Sequence, residues 1–204
     1  MNARLIYLAR HAEYDHPEDV GFVGQRDLPL NEAGIRQAQG LARGMRETHL
    51  TAIWCSDLQR SRRTAEIVAE GRSMVPRALR ELREITHGQW EGLTSEEVRR
   101  RFPQDWARWQ TERTSFRGPG AESFEDVRQR VIPAFEGVVA GSTGDVLIVA
   151  HMGVNRAILS HVLDMPLRSI FRLSQDYACL NVIALGEAGY TLQLMNRVYD
   201  PAGV

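Results

Sequence analysis

Lysine is absent from this sequence, in which all 25 basic residues are arginines. A GC-rich coding bias explains the absence most simply. It still has a chemical consequence, because Schiff-base catalysis and the nucleotide-binding P-loop both need a lysine side chain. The sequence therefore excludes both kinds of site.

Cysteine is also scarce, and the chain has no long apolar run. Cys55 and Cys179 lie in apolar, strand-like contexts, which favours buried free thiols in a reducing cytoplasm over a disulfide. No spacing of cysteines and histidines is typical of a metal site. No apolar segment is long enough to cross a bilayer, and no signal-peptide pattern is present. We therefore expect a cytoplasmic protein without a cofactor.

Charge of either sign is not in excess, since the formal net charge is −1. A chain so close to neutral gives no reason to expect nucleic acid or a membrane surface as a partner. The hydrophobic fraction of 43% is enough for a sizeable core. A length of 204 residues suits one domain, which we predict to span residues 1–204.

Strand-like and helix-like segments alternate along the chain. Short apolar runs predict strands at 4–9, 52–55, 74–77, 145–150, 180–185 and 190–197. Longer periodic segments predict helices at 31–46, 58–70, 94–101, 103–112, 123–140 and 153–163, with a short one near 166–171. The alternation predicts an α/β fold, a three-layer α/β/α sandwich with a mainly parallel sheet and helices on both faces. The last two strands form a predicted hairpin, which makes the sheet mixed.

Residues 86–122 differ from the rest of the chain. They are helical, aromatic and rich in arginine, and we interpret them as a small helical cap over the active edge of the sheet. Trp106 and Trp109 are spaced to share one helix face, which usually indicates packing. Contact of one of them with a substrate is the alternative. The arginines at 99–101 are expected to form a solvated helix end, with binding of a substrate phosphate as the alternative.

Arg10 and His11 follow the first apolar run, at residues 5–9. A guanidinium offers phosphate oxygens a rigid fork of donors. An imidazole can attack phosphorus or move a proton near neutral pH. The dipeptide alone is weak evidence for phosphate chemistry, and its weight comes from three later segments.

These segments supply the remaining groups of one predicted site. The first places Arg60 in the opening turn of a helix whose expected N-cap is Ser56 or Asp57, where free N–H groups favour an anion. The second places His151 at the end of another apolar strand, and the third places Glu84 after the third predicted strand. Ligands of open α/β sheets bind at the carboxyl ends of the strands, so these side chains are expected to meet. Together they suffice for metal-free phosphoryl transfer.

Five stretches of the sequence resemble, in order, motifs of the histidine phosphatase superfamily, the fold of cofactor-dependent phosphoglycerate mutase and of small acid-type phosphatases. They occupy residues 8–13, 24–34, 56–65, 82–92 and 149–151. One such match can arise by chance, whereas five in the same order are a strong signal.

The resemblance implies a role for each matched residue. His11 would be the nucleophile that takes the phosphoryl group. Glu84 would be the general acid that protonates the departing alkoxide and then the base that activates water. The other matched residues would bind the substrate: Arg10, Arg60, His151, Gly24 and Met152.

Two departures from the family pattern bear on the pocket. Ala12 replaces the usual glycine after the nucleophile, which is tolerated if its φ is negative. Met152 replaces the small residue that often follows the second histidine. Its side chain either narrows the pocket or leaves only its backbone N–H facing the phosphate.

A phosphatase is favoured over a mutase, because groups that would bind a second charge on the substrate are missing. The mutases carry a longer cap with an Arg-Arg pair, a lysine where this chain has Ser95, and a tryptophan and an asparagine in the segment that is 12–17 here. The short chain and the stretch at 120–124 are similar to the alpha-ribazole phosphatase branch and to broad-specificity phosphatases. The resemblance thus implies metal-independent hydrolysis of a small phosphorylated metabolite through a phosphohistidine on His11.

Three other functions stay open at this point. They are a phosphoglycerate mutase, a non-catalytic phospho-binding protein that kept the fold, and an adenylyl or phosphoramidate hydrolase that uses the same histidine. The apolar strand at 190–198 is an edge that can pair with another chain, which leaves a homodimer open.

Overall fold

A computed structural model, which describes residues 3–16 and 19–200, contains one central six-stranded sheet. Its strands are β1 (Arg4–Arg10), β2 (Ala52–Ser56), β3 (Arg77–Leu79), β4 (Val146–Ala150), β5 (Leu180–Gly186) and β6 (Gly189–Arg197). They lie in the order β3-β2-β4-β1-β5-β6. The first four are parallel to one another, and β5 and β6 run antiparallel as a hairpin. The predicted mixed, mainly parallel sheet is confirmed.

Six α-helices accompany the sheet within the described ranges. They are α1 (Glu32–Gly44), α2 (Gln59–Ala69), α3 (Ser95–Arg101), α4 (Pro103–Thr111), α5 (Phe124–Ala140) and α6 (Met152–Val162). Short 3-10 turns occur at Arg80–Leu82, Gly88–Trp90 and Leu167–Arg172, the last of which replaces the seventh predicted helix. Asn31 caps α1 through a hydrogen bond from the Gly34 N–H, as its position in the sequence predicts.

Strand β4 shows how the helices cover both faces of the sheet. Val146 and Ile148 pack in one cluster with residues of α5 and α6. Leu147 and Val149 point to the opposite face and pack with residues of α1 and α2. Both faces of β4 are buried, which explains its unbroken apolar run. The predicted three-layer sandwich is therefore confirmed.

The residues predicted as a cap have a small aromatic core of their own. It consists of Trp90, Val98 and Phe116 with Phe22, and Leu93, Phe102, Trp106 and Trp109 pack against it. The arginines at 99–101 are exposed in the last turn of α3, as expected. The single domain over residues 1–204 stays a prediction, since residues 1–2, 17–18 and 201–204 lie outside the described ranges.

The prediction of the third strand was wrong in its position. The strand occupies Arg77–Leu79 and not 74–77. Pro76 has no N–H to donate into a ladder, so pairing with β2 begins at Arg77, opposite Trp54. Val75 lies outside the strand and is 86% exposed.

The N-cap predicted for α2 was also wrong. Leu58 occupies the cap position and provides no capping side chain, so neither Ser56 nor Asp57 is the N-cap. The Gln59 N–H instead donates to a carboxylate oxygen of Asp27 at 2.7 Å. The start of α2 is therefore stabilised by a residue 32 positions away along the chain.

Three further expectations concern the whole chain. No helix within residues 3–16 and 19–200 is long and apolar enough to cross a membrane, and location in the cytoplasm stays a prediction. Cys55 and Cys179 are free and buried, as expected. Strand β6 is one edge of the sheet, where Leu194 and Met195 are exposed. Pairing of this edge with a second copy stays a prediction.

Two helical glycines test how tightly α1 packs against the loop after His11. A Cβ on Gly34 would lie 1.8 Å from the backbone oxygen of Glu13, whereas a Cβ on Gly137 in α5 would meet nothing within 4 Å. We expect Gly34→Ala to lower the free energy of unfolding by about 1–3 kcal/mol, because the backbone must move.

The matched change Gly137→Ala should raise the free energy of unfolding by about 0.5–1 kcal/mol, because alanine loses less backbone entropy in a helix. Urea denaturation of both variants measures the difference. A Gly34→Ala protein as stable as the wild type would contradict the close packing of α1 on this loop.

Candidate active site

A cavity of about 420 Å³ lies between the carboxyl ends of β1 and β4 and the cap. Its lining includes six of the seven predicted site residues: Arg10, His11, Gly24, Arg60, Glu84 and Met152. The seventh, His151, is fully buried beside His11 and does not line the cavity. The structure therefore brings together all seven residues that the sequence predicted.

The His11 ring is held with one nitrogen unprotonated. Its Nδ1 lies 2.7 Å from the Ala12 carbonyl oxygen. A carbonyl only accepts hydrogen bonds, so this contact requires the proton on Nδ1 and leaves the lone pair on Nε2. The side chain is only 3% exposed. Its Nε2 is thus fixed in the orientation that a nucleophile needs.

Arg60 is buried next to His11 and is fixed by carbonyl groups. Its Nε donates to His11 Nε2 at 3.3 Å, and its terminal nitrogens donate to the carbonyls of Gly24 at 2.8 Å and Arg26 at 2.7 Å. Gly24 has a φ of +57°, and an added Cβ would lie 2.1 Å from Glu91. A glycine is therefore required where the backbone turns to present its carbonyl to Arg60.

Arg10 and His151 leave buried polar atoms without partners among the described residues. Arg10 donates through Nη1 to the Gln175 carbonyl at 2.6 Å, and its guanidinium lies 3.8 Å from the centre of the Tyr177 ring. Its Nε and both ring nitrogens of His151 have no hydrogen-bond partner. Since buried polar groups are normally paired, these atoms indicate a place for the oxygens of a bound anion.

Both buried imidazoles are held neutral. Burial, together with the positive charges of Arg60 and Arg10, lowers the pKa of His11 well below its ordinary value. Burial likewise lowers the pKa of His151, with Arg60, His11 and Arg10 adding to the effect. The two ring centres lie 4.9 Å apart. Near neutral pH, His11 therefore keeps the lone pair that attack on phosphorus requires.

Glu84 lies at the N-terminus of α6. One carboxylate oxygen accepts from the Gly153 N–H at 3.1 Å, and the other accepts from its own neighbour Ile85 at 2.9 Å. A Cβ on Gly153 would lie 2.5 Å from the Glu84 carboxylate. The sequence motifs did not assign Gly153 to the site, although it directly follows Met152, which they did assign.

Two ion pairs fix the segment that carries Glu84. Arg83 binds both oxygens of Asp57, at 2.7 and 2.8 Å, and lowers the pKa of that carboxyl group. Arg130 donates to the Glu84 backbone carbonyl at 3.1 Å and pairs with Glu122 at 2.6 Å. The Glu84 segment is therefore tied to the start of α2 and to α5.

The cavity lining also contains residues that the sequence motifs did not predict. They are Tyr14, Phe22, Arg113, Phe124, Arg156, Phe171 and Tyr177. His16 and His87 also line it. Trp109 contributes to the lining as well as to the cap core. Arg113 lies in the cap, and Phe171 and Tyr177 follow α6, where no matched motif occurs.

Carboxylates are few near His11. Within residues 3–16 and 19–200, no group of three or more His, Cys, Asp or Glu side chains is placed to hold a metal ion. Independence from metal ions nevertheless stays a prediction.

Comparison with known proteins covers nearly the whole chain. A family model described as the histidine phosphatase superfamily, branch 1, matches residues 6–198. The adenosylcobalamin/alpha-ribazole phosphatase of Salmonella typhimurium is 30% identical over 192 residues, which are 94% of this chain and 95% of that protein. Phosphoserine phosphatase 1 of Hydrogenobacter thermophilus is 31% identical over 192 residues, with 94% and 91% covered.

Solved structures give the same result. YhfR of Bacillus stearothermophilus is 29% identical, with a TM-score of 0.88 over 95% of this chain and 97% of that one. A mycobacterial glucosyl-3-phosphoglycerate phosphatase is 27% identical, with a TM-score of 0.84 over 95% of this chain and 99% of that one. Every relative and structure named here whose description states an activity is a phosphatase.

The neutral buried imidazoles make stability depend on pH. Unfolding below pH 6.5 protonates histidines whose folded-state pKa is lower, so the ligand-free protein should lose stability as pH falls from 7 to 5. Each imidazole contributes up to about 1.4 kcal/mol per pH unit until its folded pKa is reached.

We expect the free energy of unfolding of His151→Gln to fall less steeply than that of the wild type between pH 7 and 5. The reason is that unfolding of the variant takes up about one proton fewer. Denaturant unfolding at several pH values gives these slopes. The exposed His49 provides the control, since His49→Gln should leave the wild-type slope. Equal slopes for all three proteins would show that His151 is not neutral in the folded state.

Proposed function

This chain belongs to the histidine phosphatase superfamily, and from that premise we propose that it hydrolyses a small phosphorylated metabolite through a phosphohistidine on His11. Its relatives are named as phosphatases, and the chain is accordingly a phosphatase of this superfamily. The observation that carries the proposed mechanism is the unprotonated Nε2 of His11, which accepts a hydrogen bond from Arg60 Nε and lies beside the donors of Arg60 and Arg10.

The first step transfers the phosphoryl group to the enzyme. Oxygens of the phosphate accept hydrogen bonds from Arg10 and Arg60, and contact His151. His11 Nε2 donates its lone pair to phosphorus while the bond from phosphorus to the leaving oxygen breaks. The ring becomes positively charged, and its Nδ1–H stays bonded to the Ala12 carbonyl. The arginines stabilise the charge that spreads over the transferring group.

Glu84 completes both halves of the reaction. In its protonated form it gives a proton to the leaving oxygen, so that an alcohol departs and not an alkoxide. The resulting carboxylate then takes a proton from a water molecule, whose oxygen attacks phosphorus and displaces His11. Phosphate leaves, and both side chains return to their initial states. The Gly153 N–H holds the carboxylate in place throughout.

The names of the relatives favour hydrolysis over the mutase alternative. They include phosphatases of alpha-ribazole phosphate type, of phosphoserine and of glucosyl-3-phosphoglycerate. These leaving groups differ widely, so they support a phosphomonoester as substrate without selecting one. A mutase or a phospho-binding protein would both fail a hydrolysis assay, and a primed 3-phosphoglycerate assay would separate them.

Hydrolysis of p-nitrophenyl phosphate in the presence of EDTA tests the proposal. We expect wild-type turnover to survive EDTA and His11→Ala to lose it while remaining folded by circular dichroism. Rapid-quench trapping should give a phosphorylated protein whose label is stable to base and lost in acid. The matched control His49→Ala should retain wild-type activity, since His49 is exposed and outside the cavity. Phosphorylation of His11→Ala to the wild-type extent would contradict His11 as the nucleophile.

The choice of leaving group tests the role of Glu84. An alkyl phosphate needs protonation of its leaving oxygen, whereas p-nitrophenolate departs readily without it. We expect Glu84→Gln to slow hydrolysis of an alkyl phosphate by about 10²–10⁴-fold and to slow phosphorylation by p-nitrophenyl phosphate far less. Rapid-quench measurements of the phosphorylation step provide the comparison. An equal loss with both substrates would exclude Glu84 as the general acid.

A further inference from the structure

The cavity has a large excess of positive charge. Its lining contains four arginines, Arg10, Arg60, Arg113 and Arg156, and a single carboxylate, Glu84. A bound phosphomonoester dianion is matched by Arg10 and Arg60, which lie beside His11. When Glu84 is protonated, as the proposed first step requires, the charges of Arg113 and Arg156 are left over after the reacting phosphate is counted.

Arg113 and Arg156 lie around one aromatic ring that also lines the cavity. Their guanidinium carbons are 4.5 and 5.9 Å from the centre of the Phe171 ring. Arg113 also lies 4.8 Å from the Trp109 ring. The two arginines come from different parts of the chain, the segment after α4 and helix α6, so the fold alone brings them together.

Neither of these arginines is neutralised within the described ranges. Arg156 donates only through Nε, to the Leu173 carbonyl at 2.9 Å, which leaves its terminal nitrogens free. Arg113 makes no hydrogen bond, and no described carboxylate forms an ion pair with either residue. Burial lowers the pKa of Arg156; the Glu84 carboxylate raises it, and the charges of Arg10 and Arg113 lower it. Such a concentration of unpaired like charge favours binding of an anion.

Four aromatic side chains line the cavity. Phe22, Trp109, Phe124 and Phe171 contribute to the lining, and the Phe124 and Phe171 rings pack edge to face at 5.3 Å. A leaving group that reaches from His11 to Arg113 and Arg156 would contact these rings. Its middle part is therefore expected to be apolar or planar.

We propose that the preferred substrate is a phosphomonoester whose leaving group carries a second anionic group, which Arg113 and Arg156 bind. The proposal rests on the phosphatase function proposed above and names the substrate class for that site. The positions at which the mutases bind a second charge lack such groups in this chain. Arg113 and Arg156 supply such groups from other positions.

Phenyl phosphate and 4-carboxyphenyl phosphate test this proposal, since they differ by one carboxylate. The measured quantity is the ratio of their kcat/KM values, because differences in leaving-group reactivity cancel when variants are compared. We expect this ratio to fall about tenfold in Arg113→Gln, mainly through a higher KM for the carboxylated substrate. The ratio should also fall with added salt, since Arg113 is exposed and its charge can be screened.

Two further variants complete the test. Arg156→Gln should lower the ratio in the same way, and Arg156→Lys should restore part of it by keeping the charge. Arg99→Gln is the matched control, because Arg99 is exposed in α3 and does not line the cavity. A ratio unchanged in both Arg113→Gln and Arg156→Gln would overturn the second anion site.

Binding separates failure of this proposal from failure of the proposed function. Calorimetry with phenylphosphonate and 4-carboxyphenylphosphonate needs no turnover. Tighter binding of the carboxylated compound that is lost in Arg113→Gln supports the anion site even if neither ester is hydrolysed, in which case only the phosphatase mechanism fails. Equal binding of both compounds by the wild type and Arg113→Gln overturns the anion site even if both esters are hydrolysed.

Discussion

The buried guanidinium of Arg60 is the constraint on which the site depends. It is 1% exposed, and the acceptors that hold it are two backbone carbonyls and the His11 ring, with no carboxylate among them. A buried charge that no carboxylate contacts directly is costly. Burial accordingly lowers the pKa of Arg60, although the carboxylates of Glu84 and Asp27 raise it. The folded protein therefore maintains a positive potential that an incoming phosphate dianion relieves. Burial and the charges of Arg60 and Arg10 lower the pKa of His11, so the same buried charge also favours the neutral imidazole that the proposed attack on phosphorus needs.

The register of the sheet gives this charge its geometry. Strands β1 and β4 are parallel neighbours, and Arg10 pairs with Ala150. The next residue on each strand is a histidine, so His11 and His151 emerge side by side, at the spacing that separates adjacent strands. No loop has to fold correctly for this contact to form. Arg60 reaches it from the first turn of α2. The Glu84 carboxylate is held at the N-terminus of α6, where backbone N–H groups favour anions.

The sequence predicts Arg10, His11, Arg60 and His151 because each lies at or next to the end of a regular element. An apolar run followed by His11 or His151 places the histidine at the sheet edge without further information. By contrast, the Asp27 cap of α2 and the exposed position of Val75 depend on tertiary contacts and on Pro76, and the local pattern predicted both places wrongly. Periodicity reports which residues are buried, but not which distant side chain satisfies a helix end.

Other residues of the cavity lining come from less regular segments. Arg113, Phe171 and Tyr177 lie on the cap or on segments after α6, where no strand end fixes a side chain in advance. Such segments can change without disturbing the sheet, and they are where binding residues concentrate in many folds. Under the proposed function, the chemistry near His11 and the choice of leaving group thus belong to separate parts of the chain. This separation explains how relatives of about 30% identity share one fold while their names state different substrates.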